Sequence, residues 1–268
     1  MSKQIFKETR IIMGMPVTIQ IVDGSLHSDR ARLGVMERAF EYFLYVDQKF
    51  STYKADSEIS KINSGELQLA DASEDMRIVF KLAEQTKNET NGYFDIVDRA
   101  GKYDPSGIVK GWAIDNVARL IHDAGFPDHY VEAGGDIQVG GLSDTDLKWS
   151  IGIKNPFNQT ENVKVVQLSD QGIATSGTYI RGQHIYDPHD RNTKFDDIIS
   201  LTVIGPNIYV ADLFATTAFA MGRKGIEYIE GSRNSDVAEC DQLEAYMIDS
   251  RGVATMTSGF EKYTCPDS

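Results

Sequence analysis

Residues Gln4 to Asp23 alternate apolar and polar positions, with Val17, Ile19 and Ile21 on one face and a break at Met13-Gly14-Met15-Pro16. Period-two alternation marks a half-buried strand, so two strands joined by a bend are expected. From Asp29 to Phe50 the period lengthens: Leu33, Met36, Phe40, Phe43 and Val46 recur at helical spacing, which predicts an amphipathic helix packed on the sheet. A second helix is predicted from Ser73 to Asn88, with Ser73 as cap and Met76, Val79, Phe80 and Ala83 on one face. A third runs from Gly107 to Ala124, turning Trp112, Val117, Leu120 and Ile121 inward. Strands then follow at Tyr130 to Val139, Trp149 to Lys154, Val163 to Leu168, Gly172 to Thr178 and Ile199 to Gly205. A helix from Val210 to Met221, a shorter one after Lys224, and a hairpin formed by Ala245 to Asp249 and Gly252 to Thr257 complete the pattern. Helices that interrupt runs of strands without strict alternation point to an α+β fold, mainly antiparallel sheet with packed helices. With no repeat, low-complexity tract or linker, a single domain over 1–268 is expected.

Composition narrows the chemistry. The chain is 41% hydrophobic and 25% charged, as in an ordinary globular protein, and carries a net charge of -13. That charge argues against non-specific nucleic-acid binding, which needs clustered Lys and Arg to neutralise phosphates. A negatively charged ligand would therefore need a local positive feature, such as a metal ion. Cys240 and Cys265 match no zinc spacing and read as reduced thiols. The first residues hold no apolar leader segment or lipidation cysteine, and no run approaches the ~18 apolar residues of a membrane span. A cytoplasmic protein without membrane insertion is expected.

Two short segments carry candidate chemistry. D-P-S-G-I-V-K-G-W-A-I, from Asp104 to Ile114, sets a carboxylate, a glycine and a lysine at the opening of a helix. The glycine allows close backbone approach and the helix N-terminus presents unpaired N–H groups, which together suit a phosphate-bearing ligand. Asp212 and Thr216 stand one turn apart on a predicted helix, so a carboxylate and a hydroxyl share a face and can meet one small cation. Mg2+ favours such oxygen donors and few protein ligands. The plainer alternatives are a helix-end Asp with a packed Thr, a turn Asp104 before Pro105, and a surface Lys110.

The motifs also come in an ordered series: Met13-Gly14-Met15, F-S-T-Y-K-A-D-S-E-I-S-K-I-N at Phe50 to Asn63, and G-Y-F-D at Gly92 to Asp95. D-P-S-G-I-V-K-G at Asp104 to Gly111, E-A-G-G-D at Glu132 to Asp136 and I-A-T-S-G at Ile173 to Gly177 continue it. H-I-Y-D-P at His184 to Pro188 and A-D-L-F-A-T-T-A at Ala211 to Ala218 complete it. This series resembles the FAD:protein FMN transferase family, also called the ApbE family, over nearly the whole chain. The resemblance implies an ApbE-like α+β fold with the nucleotide in a central cleft. It also implies a Mg2+-dependent enzyme that takes FAD as substrate and transfers FMN to a Thr hydroxyl of a partner flavoprotein, releasing AMP. The acceptor would carry a motif like D-(S/T)-(G/A)-A-T. An FAD pyrophosphatase giving free FMN and AMP, and a non-catalytic FAD-binding protein, are the alternatives.

By the same resemblance, the metal ligands would be Asp212, Thr216 and the carbonyl of Gly107. Met13, Tyr53, Tyr93, Phe94, Asp95, Asp104, Lys110 and Tyr186 would surround the cofactor, with Tyr93 and Phe94 alternatively strand-core residues. His184 would act as general base on the acceptor hydroxyl with Asp187 orienting it, or the pair would be a half-buried His beside a turn Asp. Two departures from the family pattern stand out: Pro105 and Ser106 replace a small or apolar residue and Gly, and the connection from Asp95 to Asp104 is short.

Overall fold

The computed structural model describes residues 3–24, 27–98, 100–178, 188–189, 197–232 and 242–264. The first two strands, β1 (Gln4–Ile12) and β2 (Met15–Asp23), pair as an antiparallel hairpin. Its turn places Met13 at φ 56° and Gly14 at φ 71°, the left-handed pair that a tight hairpin requires. Helix α1 (Asp29–Phe50) starts where Ser28 caps the Ala31 N–H and buries Met36, Phe40, Phe43 and Val46. Leu33, expected on that face, is 61% exposed, and Val35 and Ala39 fill the interior positions instead. A short helix α2 (Glu58–Ser64), which the pattern did not reveal, lies between a Ser57 cap and a left-handed Gly65. Helix α3 (Glu74–Glu89) is capped by Ser73 as expected, and α4 (Ser106–Asp123) follows.

The stretch expected as one strand from Tyr130 to Val139 is two, β3 (His129–Ala133) and β4 (Asp136–Gly140). Gly134 and Gly135, at φ 60° and 97°, reverse the chain between them. Strands β5 (Trp149–Asn155) and β6 (Asn158–Leu168) form a separate hairpin, after which come β7 (Gln171–Gly177) and β8 (Ile198–Gly205). Helices α5 (Ile208–Ala220) and α6 (Lys224–Ser232) precede β9 (Glu244–Asp249) and β10 (Ala254–Met256).

The eight-stranded sheet has the order β1-β2-β3-β4-β7-β8-β9-β10. Every pairing between these strands is antiparallel. Side chains that alternate along each strand serve two cores. Ile19, Val131, Ala174, Val203 and Met247 face helices α1, α4 and α5, while Val139, Ile173, Ile204 and Ile248 face the β5–β6 hairpin. Helix α5 is apolar nearly all round because it sits between the sheet and α4. Among the described residues no helix is long and apolar enough to cross a membrane.

Candidate active site between two helices

Helix α5 is held at its first turn. Asn207 caps the Val210 N–H, and the Ile208 N–H donates to Gln138 Oε1 on β4 at 2.7 Å. The sheet beneath must be bare there, since a Cβ on Gly172 would fall 2.1 Å from the Ile208 nitrogen. Helix α4 approaches α5 equally closely at Gly111, where a Cβ would lie 2.9 Å from Asp212 Cβ and 3.1 Å from the Ile208 carbonyl oxygen. This approach lets the Gly111 N–H donate to Asp212 Oδ2 at 3.0 Å.

Asp212 is 3% exposed. Its Oδ1 lies 3.5 Å from the Lys110 ammonium, which also contacts Asp136 Oδ2. Burial pushes the Asp212 carboxyl up to about 7; Lys110 draws it back, Asp136 raises it further and the Gly111 N–H lowers it. One turn on, Thr216 Oγ1 lies 3.5 Å from Ser176 Oγ on β7. Gly107 stands against the same turn, a Cβ on it falling 3.8 Å from Thr216 Cγ2 and 3.4 Å from Phe94. The structure thus brings Gly107, Asp212 and Thr216, chosen from distant motifs, to one place.

A cleft of about 180 Å3 opens beside them, lined in part by Tyr93, Phe94, Asp95, Asp104, Gly107 and Thr216. Its floor is rigid. Thr90 Oγ1 accepts from the Phe94 N–H, and Phe94 is at once a cleft wall and a core residue, though in a turn and not on a strand. Asp95 is engaged by Lys87 at 2.7 Å and by the Val97 N–H. Asp104 accepts from the Ser106 N–H, opening α4 without a side-chain cap at Pro105. Asn63, the last residue of the F-S-T-Y motif, grips both the N–H and the carbonyl of Tyr103. A second, more polar cavity of about 340 Å3 shares Asp98 and Asp104 with the first.

Other expected residues sit elsewhere. Lys110 is not a surface residue: it packs behind the cleft, ion-paired to Asp136. Met13 lies in the β1–β2 turn against the helix-side core, and Tyr53 is 98% exposed beyond α1. His184, Tyr186 and Asp187 lie outside the described residues, as do Cys240 and Cys265, although Pro188 at the end of H-I-Y-D-P lines the cleft. Sequence reasoning did not single out Asp136, Gly111, Ser176 or Gln138. The first three stand inside the quoted motifs, and a carboxylate directly after a Gly-Gly turn at a strand start was the available signal for Asp136.

Among the described residues no group of three His, Cys, Asp or Glu side chains could hold a metal ion. The donor set on offer is one carboxylate, one hydroxyl and one main-chain carbonyl. That set fits a hard cation completing its shell with water and phosphate, and does not fit zinc.

The fold and this oxygen-donor site at a helix–helix contact define an α+β protein with an antiparallel sheet and an open cleft beside the site. The ApbE family profile matches residues 13–102 and 98–239, and the chain belongs to that family. The two matched stretches meet within the short 95–104 connection. An FAD:protein FMN transferase of Vibrio cholerae serotype O1 is 31% identical over 169 residues, 60% of this chain and 47% of that protein. One from Escherichia coli K12 is 28% identical over 158 residues, 56% and 43% of the two chains. The aligned region therefore spans about half the length of these curated relatives. The fold is shared end to end with the flavin transferase ApbE from Vibrio cholerae, at TM-score 0.78 and 23% identity, covering 97% of this chain and 99% of that one. The apo Pseudomonas stutzeri flavinyl transferase ApbE superposes at 0.81 with 20% identity, covering 100% and 99%.

Proposed function

We propose that the chain, acting as one unit over 1–268, is a Mg2+-dependent enzyme that transfers FMN from FAD to a Thr hydroxyl of a partner flavoprotein. The Thr oxygen would bond to the FMN phosphorus, the bond from that phosphorus to the bridging oxygen would break, and AMP would leave with the bridging oxygen. A bound Mg2+ would neutralise the diphosphate and the charge that builds on the leaving oxygen.

One observation carries this reading: the Gly111 N–H donates to Asp212 Oδ2. In an α-helix that N–H is the regular partner of the carbonyl four residues earlier, which is Gly107. The Gly107 carbonyl therefore has at most a shared donor. Gly107 itself stands beside Thr216, and its carbonyl oxygen would be the third donor to a cation that Asp212 and Thr216 also hold. The same hydrogen bond fixes the Asp212 carboxylate before any ligand arrives, which is the pre-organisation that charge stabilisation requires.

The remaining residues would position the substrate. Tyr93 and Phe94 offer ring surface in the cleft, and Asp104 accepts hydrogen bonds at the mouth of α4. His184 would remove the acceptor proton with Asp187 orienting it, while Tyr186, Met13 and Tyr53 would complete the cofactor surround as the substrate folds over the rim. The acceptor would carry the D-(S/T)-(G/A)-A-T motif.

The deciding experiment incubates the protein with FAD, Mg2+ and a protein bearing that motif. Covalent in-gel flavin fluorescence together with released AMP is the expected result. AMP and free FMN without labelled acceptor would replace transfer by hydrolysis, and neither product would remove the enzymatic reading.

A further inference from the structure

None of Lys110, Asp136 and Asp212 lines the cleft; the three form a line of alternating charge behind it. Asp136 is the most firmly fixed of them. It is 1% exposed, follows the Gly134-Gly135 turn, and its Oδ1 accepts from the Thr175 N–H at 3.1 Å. Its Oδ2, sealed from solvent, meets the Lys110 ammonium, which stands farther from Asp212, at 3.5 Å from Oδ1. The lysine is thus anchored on the sheet and only leans toward the helix carboxylate.

Resting on the cation reading above, we propose that Asp136 is a positioning residue. It holds the Lys110 ammonium in place so that the Asp212 carboxylate stays available to a divalent cation instead of being neutralised by the lysine. The charge count makes the point. With both carboxylates ionised, two carboxylates and one ammonium leave the trio with a net negative charge that attracts a cation, and burial keeps solvent from screening it. Without the Asp136 charge, lysine and Asp212 would form a closed neutral pair, and an incoming cation would have to displace the ammonium. The loss would fall on metal binding itself, independent of any contact with FAD.

The test is Mn2+ binding to the whole chain, alone and with ADP, read from the electron paramagnetic resonance of the free ion, with thermal melting to check folding. Asp136→Asn keeps a side-chain oxygen for Thr175 but removes the charge, and is expected to weaken Mn2+ binding roughly tenfold. Adding Lys110→Met to that variant is expected to return binding to near the wild-type level, because the competing ammonium is gone. Lys110→Met alone is expected to bind Mn2+ at least as tightly as wild type, an arm that does not depend on Asp136→Asn folding. A double variant as weak as Asp136→Asn, or a folded Lys110→Met protein weaker than wild type, overturns the proposal. A wild-type chain that binds no Mn2+ in either condition overturns the cation reading itself, so the two failures are told apart.

Discussion

The two faces of the eight-stranded sheet bury carboxylates in opposite ways. On the hairpin face, Glu244 is fully buried and saturated: it accepts from Thr257 Oγ1 and from the Gly259 N–H, and pairs with Lys262. The same face carries the apolar cluster of Trp149, Ile151, Leu168 and Phe260, and even the Trp149 indole is matched to the Gly140 carbonyl. On the helix face, among the described residues, Asp136 and Asp212 both contact the Lys110 ammonium, and Asp212 also accepts from the backbone N–H of Gly111 on α4. A saturated carboxylate is a structural part, whereas two that share one cation keep attraction for another. The hairpin face closes the fold, and the helix face keeps unspent electrostatic capacity.

The largest break in this contrast should come from Asp212→Ala. Mg2+-dependent FMN transfer is expected to fall by roughly 10^3-fold or more, while circular dichroism and melting show the fold intact. Retained turnover would remove Asp212 from the metal site. The converse is Phe260→Ala on the hairpin face, where Phe260 is fully buried. It should cost about 3–5 kcal/mol in denaturant unfolding yet leave turnover per folded molecule unchanged. A change in turnover would show that the faces are coupled.

Gly111→Ala tests the helix contact on which the site depends. With its Cβ 2.9 Å from that of Asp212, the helices must part. A loss of about 1–3 kcal/mol is expected, accompanied by weaker Mn2+ binding, and unchanged metal affinity would sink the role given to the Gly111 N–H. The smallest effect is on pH. The Asp212 carboxyl is raised from 3.8 to about 7, so between those values the metal-free folded protein holds a proton that the unfolded chain has lost. Stability therefore falls as pH rises through that window, being fully present below about 4 and lost above about 7. Thermal melting of metal-free wild type and Asp212→Asn should show this slope only in the former.

Legibility followed the range of the forces involved. Helix α1 was readable to its ends because a repeating apolar face acts within a few residues, and the structure adds a Ser28 cap at its start. Helix α2 was not, since seven residues between Ser57 and Gly65 bury only Ile59 and leave almost no periodic signal. The single strand expected over Tyr130 to Val139 failed at Gly134-Gly135, a turn that apolar alternation passes straight through. Leu33 fits the helical spacing of α1 and yet faces solvent, because the neighbouring elements decide which stripe is covered. For the site, the ordered motifs located the cleft walls and the Gly107, Asp212 and Thr216 meeting point. The Lys110–Asp136 pair escaped because it joins α4 to a strand start, a contact set by tertiary packing alone.

The Gly111–Asp212 hydrogen bond spans 101 positions in the chain. Closing so wide a loop is slow and unrewarded until the strands between are paired. During synthesis the proposed cation site would therefore stay incomplete until α5 had left the ribosome and docked. On the proposed function, a half-made chain would be kept by its connectivity from taking up its nucleotide substrate early.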